Sequence, residues 1–187
     1  PVGALTVGLA GERLTEMAEL YEAGCIAFGQ ANLPIVDTQV LMRALQYAAT
    51  FDFPVWLQPQ DPFLGRTGVA HDGETATRLG LPGIPLCAET IAVATLLQLA
   101  RDTGVRIHLT RISSAAALEM IIAARASGIA ATCDVSVNHL HLTDADIGYF
   151  DPHARLVPPL RTQADREALR RGLAEGAIDA LCSDHTP

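Results

Sequence analysis

The sequence predicts an α/β protein built on a parallel sheet. Two observations carry this: short, nearly continuous apolar runs recur along the chain, and a helical pattern separates each run from the next. Continuous runs mark strands covered on both faces, where a one-sided strand would alternate, and helical crossovers join strands that run parallel. Periodicity alone leaves a barrel and a doubly wound sheet both open. Composition agrees, because 49% hydrophobic and 18% charged residues exclude a disordered tail, a collagen-like fibre and a coiled coil. The 187 residues suit one domain, yet the eight βα units of a barrel usually need about 250.

The elements follow in order. Residues 4–8 (ALTVG) are the first strand candidate, and a helix over 12–23 follows, with Leu14, Met17, Ala18 and Tyr21 at helical spacing and Gly24 as its stop. Residues 25–29 make a second strand. Asp37 is placed to cap a helix through residue 50, Pro54 prevents its continuation, and 55–58 form a third strand. Helix 88–103 leads through Gly104 to strand 105–112, and helix 115–127 leads through Gly128 to strand 129–135. A last helix, 163–175, ends at Gly176 and delivers strand 178–183. Stretches 60–85 and 139–161 break the rhythm. Both follow strands, which places them on the C-terminal edge where α/β enzymes carry their sites.

Charge narrows the function. Thirteen Lys and Arg against 21 acidic residues give a net charge of −8, too few cations for the basic face that nucleic acid requires. The longest apolar stretches, such as 91–97, fall far short of the roughly 20 residues of a membrane span. No basic segment precedes an apolar one at the start, so no signal peptide is expected. Cys25, Cys87, Cys133 and Cys182 form no CxxC pair and no zinc-finger spacing. They read as small buried hydrophobes of a reducing, cytoplasmic compartment.

Polar candidates gather at strand ends. Asp184 and His185 directly follow an apolar strand, where a carboxylate serves as metal ligand or general base, or else caps a turn beside a loop histidine. For a lone pair the plainer, capping reading is preferred. Strand 105–112 puts His108 and Thr110 on one face, Leu109 and Arg111 on the other. Arg111 then binds a carboxylate at the mouth, pairs with Asp184, or snorkels at the rim. His139 and His141 stand at i, i+2, a spacing that clamps a metal from one strand, although such pairs are more often surface residues.

Taken together, AGCIAF (23–28), LGLPGIPLCAET (79–90) and VPPLRTQADREALRRGLAEGAIDALCSDHTP (157–187) resemble, in order, the dihydroorotases of the amidohydrolase superfamily. The resemblance implies a metal-dependent (β/α)8 barrel that interconverts N-carbamoyl-L-aspartate and L-dihydroorotate in pyrimidine biosynthesis. It also implies zinc ligands: a His-x-His pair on strand one, a carboxylated Lys or an Asp on strand four, one His each on strands five and six, and an Asp on strand eight. Aligned by the motifs, the six strands here are numbers three to eight. The expectation is a single incomplete barrel domain over 1–187, with two βα units and a small flanking domain outside the sequence.

Of the implied ligands only Asp184 is matched. Gly29, Gln30, Ala31 and Asn32 follow strand four, where an acidic or lysine ligand is implied. Gln58-Pro59-Gln60-Asp61 stands for His-Cys-Glu-Asp, Arg111 for the strand-six histidine, and Val157 for a substrate-binding Asn before PPLR. A glutamine amide is a weak, uncharged zinc ligand, and a guanidinium stays cationic and takes up the space of the metal. The expectation is therefore a dismantled zinc site, with Arg111 paired to Asp184 and no zinc held. For such ligand-depleted homologues the resemblance implies a role in assembling aspartate carbamoyltransferase, as a homo- or hetero-oligomer. Two alternatives stay open. One is an active dihydroorotase with Asp184 as general base, ligands from outside the chain, and His139 or His141 recruited. The other is a metal-free binder in which Arg111 holds an acidic ligand such as carbamoyl aspartate.

Overall fold

In a computed structural model, which describes residues 1–185, six strands form one sheet in which every pairing is parallel. They are β1 (Val2–Ala4), β2 (Ala27–Gly29), β3 (Val55–Leu57), β6 (Ile107–Leu109), β7 (Ala131–Ser136) and β8 (Ala180–Cys182), and they neighbour one another in that order. Between them run α1 (Met17–Glu22), α2 (Thr38–Thr50), α4 (Cys87–Thr103), α5 (Ala115–Ala126) and α7 (Gln163–Ala174). Strands added in chain order, each after a helix, are what successive right-handed βα units produce. Thr186 and Pro187, the end of the SDHTP motif, lie outside the described residues.

Side-chain caps set where the helices begin. Asp37 Oδ1 accepts the Gln39 N–H at 2.7 Å, Ser114 Oγ accepts the Ala117 N–H, and Thr162 and Asp165 form a reciprocal capping box. The Asp37 and Ser114 caps follow the ends of β2 and β6 within one short loop, so there the turn from sheet to helix is fixed on the side where the candidate residues sit.

The strands are shorter than the sequence predicts. Residues 105–112 shrink to β6 because Arg111 adopts a left-handed backbone (φ 54°), and 178–183 shrinks to β8 as Asp184 does the same (φ 53°). At the start the strand moves to Val2–Ala4, with residues 7–9 turning through left-handed Gly8 and Leu9. The stretch 60–85, read as irregular, contains a small parallel unit: β4 (Ala70–His71), α3 (Glu74–Leu79) and β5 (Gly83–Ile84). Its glycines and prolines hid it. Residues 137–141 form a helix, α6 (Val137–His141), where the paired histidines suggested a strand.

One face of the sheet packs on the helices. Phe28, Val55, Leu57, Ile107, Leu109, Cys133 and Val135 are all buried there in one cluster with Leu45 of α2, Val93 and Leu97 of α4, and Leu118 and Ile121 of α5. A fully buried aliphatic side chain contributes about 1.5–3 kcal/mol. A Cβ on Gly29 would lie 2.7 Å from the Trp56 carbonyl oxygen, so glycine lets β2 close on β3 just before Gln30. A smaller core, built on Ala70, Ala76, Ile147, Ala154 and Leu160, lies under the long loops. The opposite face of the sheet carries Trp56, His108 and Thr132 side by side in register. All four cysteines are free. Only Cys133 is fully buried, and Cys87 is exposed at the first position of α4, which corrects the expectation that all four are core residues. Among the described residues no helix is long and apolar enough to cross a membrane.

Candidate functional site at the strand ends

The C-terminal ends of β2, β3, β6 and β8 converge on one guanidinium. Arg111 Nη1 donates to Asp184 Oδ1 at 3.0 Å, and Nη2 donates to Gln58 Oε1 at 2.8 Å and to the Asn32 side-chain oxygen. Asn32 and Asp184 each sit two strands from β6, about 10 Å away in a flat sheet. One side chain touches both because the sheet curls around the mouth. The two charged side chains retain only 16% and 14% of their surface, so the pair is largely shielded from solvent.

Why Arg111 turns inward is visible in the backbone. Asp134 Oδ1 accepts the Arg111 N–H at 2.7 Å, which holds the left-handed turn that a strand-alternation argument misses. Asp134 is itself oriented by His108, whose Nε2 lies 2.9 Å from Oδ2 while Nδ1 lies 2.7 Å from Thr132 Oγ1. Burial alone would raise the Asp134 pKa, but the hydrogen bonds from His108 and the Arg111 N–H hold it below the usual carboxylate value. Burial, reinforced by neighbouring Asp134, pushes the Cys182 thiol up to about 12, which leaves it a poor nucleophile.

A second polar cluster lies behind the mouth. Glu89 Oε1 accepts both the N–H (2.6 Å) and the hydroxyl (3.1 Å) of Ser113. Arg161 of the PPLR run is 3% exposed and donates through Nε to Ser113 Oγ and through Nη1 to His71 Nδ1 and the Ile84 carbonyl. It thereby ties the β4–β5 unit to the main sheet. Burial raises the Glu89 pKa, against the opposing pull of Arg161, and burial lowers that of His71, with Arg161 acting in the same direction.

The remaining sequence candidates fall apart in space. His139 and His141 are on α6, and two residues along a helix turn a side chain by about 200°. His139 is accordingly buried, with Nε2 donating to the Pro159 carbonyl at 3.1 Å, while His141 is exposed. They do not face a common ion. His185 is exposed, and Val157 is an exposed wall residue of the mouth. Asp61 accepts the N–H groups of Phe63 and Leu64 and shapes a turn. Asp134, Asn32, Glu89 and Arg161 were not singled out as site residues from sequence. A charged residue inside an apolar strand or helix, as at Asp134 and Glu89, is the signal that marks such positions.

These residues do not fit a zinc ion. The groups meeting at the mouth are one carboxylate, two side-chain amides and a guanidinium already seated on the carboxylate. Among the described residues no cluster of three or more His, Cys, Asp or Glu is placed to hold a metal.

Known proteins agree with the architecture. A family model described as Dihydro-orotase-like matches residues 1–126. The Dihydroorotase-like protein of Pseudomonas aeruginosa is 45% identical over all 187 residues, and a Dihydroorotase of Syntrophotalea carbinolica is 42% identical. The chain spans 44% of the length of each. Among solved structures, the L-hydantoinase (dihydropyrimidinase) of Arthrobacter aurescens superposes with a TM-score of 0.81 at 21% identity, over 98% of this chain and 42% of that one. A dihydroorotase of Campylobacter jejuni gives 0.70 at 15% identity, over 100% and 52%. At these identities the structural likeness shows the fold, and the fold is part of a (β/α)8 barrel. The chain belongs to the dihydroorotase-like family of the amidohydrolase superfamily.

Proposed function

We propose that this chain comes from a catalytically silent dihydroorotase homologue that supports the assembly of aspartate carbamoyltransferase instead of hydrolysing a cyclic amide. The observation that carries the reading is Arg111, whose guanidinium sits on Asp184, the residue that matches the implied strand-eight aspartate. A hydrolytic zinc site lowers the pKa of its bound water by concentrating positive charge on it, and it needs anionic or imidazole donors to do so. Here the donors at Gln30 and Gln58 are neutral amides, and the positive charge is a fixed organic cation. The assembly role rests on the resemblance to ligand-depleted homologues.

The test uses the full protein. We expect purified material to hold far less than one zinc per chain, to leave dihydroorotate intact and to co-purify with aspartate carbamoyltransferase. Stoichiometric zinc with dihydroorotate turnover that Asp184→Asn abolishes would establish the active-enzyme reading in its place. Failure to co-purify would remove the assembly role.

A further inference from the structure

The helices that cover the sheet are not equally suited to water. α7 carries Asp165, Arg166, Glu167, Arg170 and Arg171 among its twelve residues, as an outer helix facing solvent does. α5, also of twelve residues, carries only Glu119 and Arg125, and Arg125 turns inward to donate to the Ala131 and Ala177 carbonyls and to Asp179. Its outward face is therefore Glu119, Ile122, Ala123 and Ala126, all exposed. The neighbouring α4 exposes Ile91, Ala94 and Gln98 beside it. A helix that is apolar on every side is normally covered on every side, yet Ile91 and Ile122 are both half-exposed. Between the two helices runs an open groove of about 320 Å³, lined by Leu97 and Met120. α4 and α5 lie between α2 and α7, over the middle of the sheet. Strands that complete a barrel pair with the edges β1 and β8, so they leave this face uncovered.

We propose that this face is a two-fold interface with a second copy of the chain, in which α5 packs antiparallel on its counterpart. The charges select that arrangement. Glu119 lies near the start of α5, and Arg101 Nη2 donates to Ser127 Oγ just past its end. A negative and a positive group are thus about 12 Å apart along the helix. A two-fold axis crossing α5 at Ala123, midway between them, brings each Glu119 to the Arg101 of the other copy. An axis running along the helices would instead set the two Arg101 side chains against each other. Asp102, the other charge at this end, does not line the groove and accepts a hydrogen bond from Gln98. The small side chain of Ala123 lets the backbones approach at the axis, with Ile122 packed beside it. A face as long as α4, about 25 Å, and two helices wide offers roughly 500 Å² per copy. The resulting total of roughly 1,000 Å² is at the lower end of specific interfaces, so the dimer is expected at about micromolar strength. The inference rests neither on the zinc content nor on the assembly role.

The experiment is sedimentation velocity of the full protein over about 1–200 μM, a range that brackets this affinity, where a reversible dimer is expected. Ile122→Glu sets two carboxylates beside the axis, and Glu119→Arg turns both ion pairs into repulsions. Each should weaken the dimer by about ten-fold or more, since every substitution acts twice in a two-fold interface. Adding Arg101→Glu to Glu119→Arg restores both pairs with their signs exchanged and should recover most of the loss. All three positions are exposed, so the melting temperature should stay that of the parent. Ala123→Cys should give a disulfide-linked dimer under mild oxidation that the parent, despite its exposed Cys87, does not form. A protein monomeric throughout, or a dimer indifferent to Ile122→Glu and Glu119→Arg, overturns the proposal. If a monomeric protein instead loses co-purification with aspartate carbamoyltransferase through Ile122→Glu, the face belongs to that partner, and the two-fold reading is overturned as well.

Discussion

Leu109 and Arg111 are two residues apart on one chain segment, and they belong to regions that obey different rules. Leu109 is fully buried in the helix-facing layer, where neighbours are apolar and shape decides the fit. Arg111 is at the rim, where hydrogen-bond geometry and charge decide it. The same contrast repeats at Leu57 and Gln58 and at Phe28 and Gln30. Packing energy and site chemistry are therefore carried by separate side chains, and the rim can be rewritten while the layer beneath keeps the barrel strands in register.

The largest expected effect breaks the layer. Ile107→Ala removes a side chain that is 2% exposed at the centre of the main core, and should cost about 2–5 kcal/mol in equilibrium denaturation. The mouth should survive this, with the Arg111–Asp184 pair intact in protein that remains folded. A loss below about 1 kcal/mol would mean that the layer repacks freely and that the two regions are less distinct than their burial indicates.

The next effect breaks the rim. Arg111→Met leaves Asp184 as a largely buried charge without its cation, and removing one partner of a fully buried pair costs about 3–5 kcal/mol. With 14–16% of the side-chain surface still exposed, about 2–3 kcal/mol is the expected loss. Adding Asp184→Asn should recover most of it, because the double variant buries no lone charge. Strict additivity of the two single variants in a double-mutant cycle would show that the pair does not act as a unit.

The same division explains what could be read from sequence. The layer was legible because apolar runs and helix stops repeat: Gly104 and Gly128 end their helices as expected, and Asp37 caps α2. The Arg111–Asp184 pair was also foreseeable, since both residues follow apolar strands. What sequence did not reveal depends on backbone turns and distant partners. The left-handed conformations of Ala31, Arg111 and Asp184 break strand alternation at the positions where the site begins. Asp134 acts through a backbone N–H 23 residues earlier in the chain. The His139–His141 pair misled because period-2 spacing carries meaning only on a strand, and Ser136 caps a helix there by accepting the Asn138 N–H.

The smallest effect sharpens the boundary between the regions, through His139. This histidine lies behind the mouth yet is 2% exposed, and burial lowers its pKa from 6.5, against the Pro159 carbonyl that favours the charged form. The folded protein therefore keeps it neutral while the unfolded chain takes up a proton as pH falls through 6.5. Between the lowered value and 6.5 the unfolded state binds more protons, so stability rises with pH across that window and is lost on acidification. The slope from one such group is at most about 1.4 kcal/mol per pH unit. His71, also lowered, adds to the same slope, whereas Glu89, raised above 4.5, works in the opposite direction. The informative quantity is thus the difference between the parent and His139→Gln, which retains a donor for Pro159 but cannot titrate. Denaturation at pH 7.5 and 5.5 should show that the parent loses about 1 kcal/mol more than the variant on acidification. Parallel pH profiles would show that His139 is solvated in the folded state, and the polar rim would then extend down to α6 instead of ending at the Arg111 cluster.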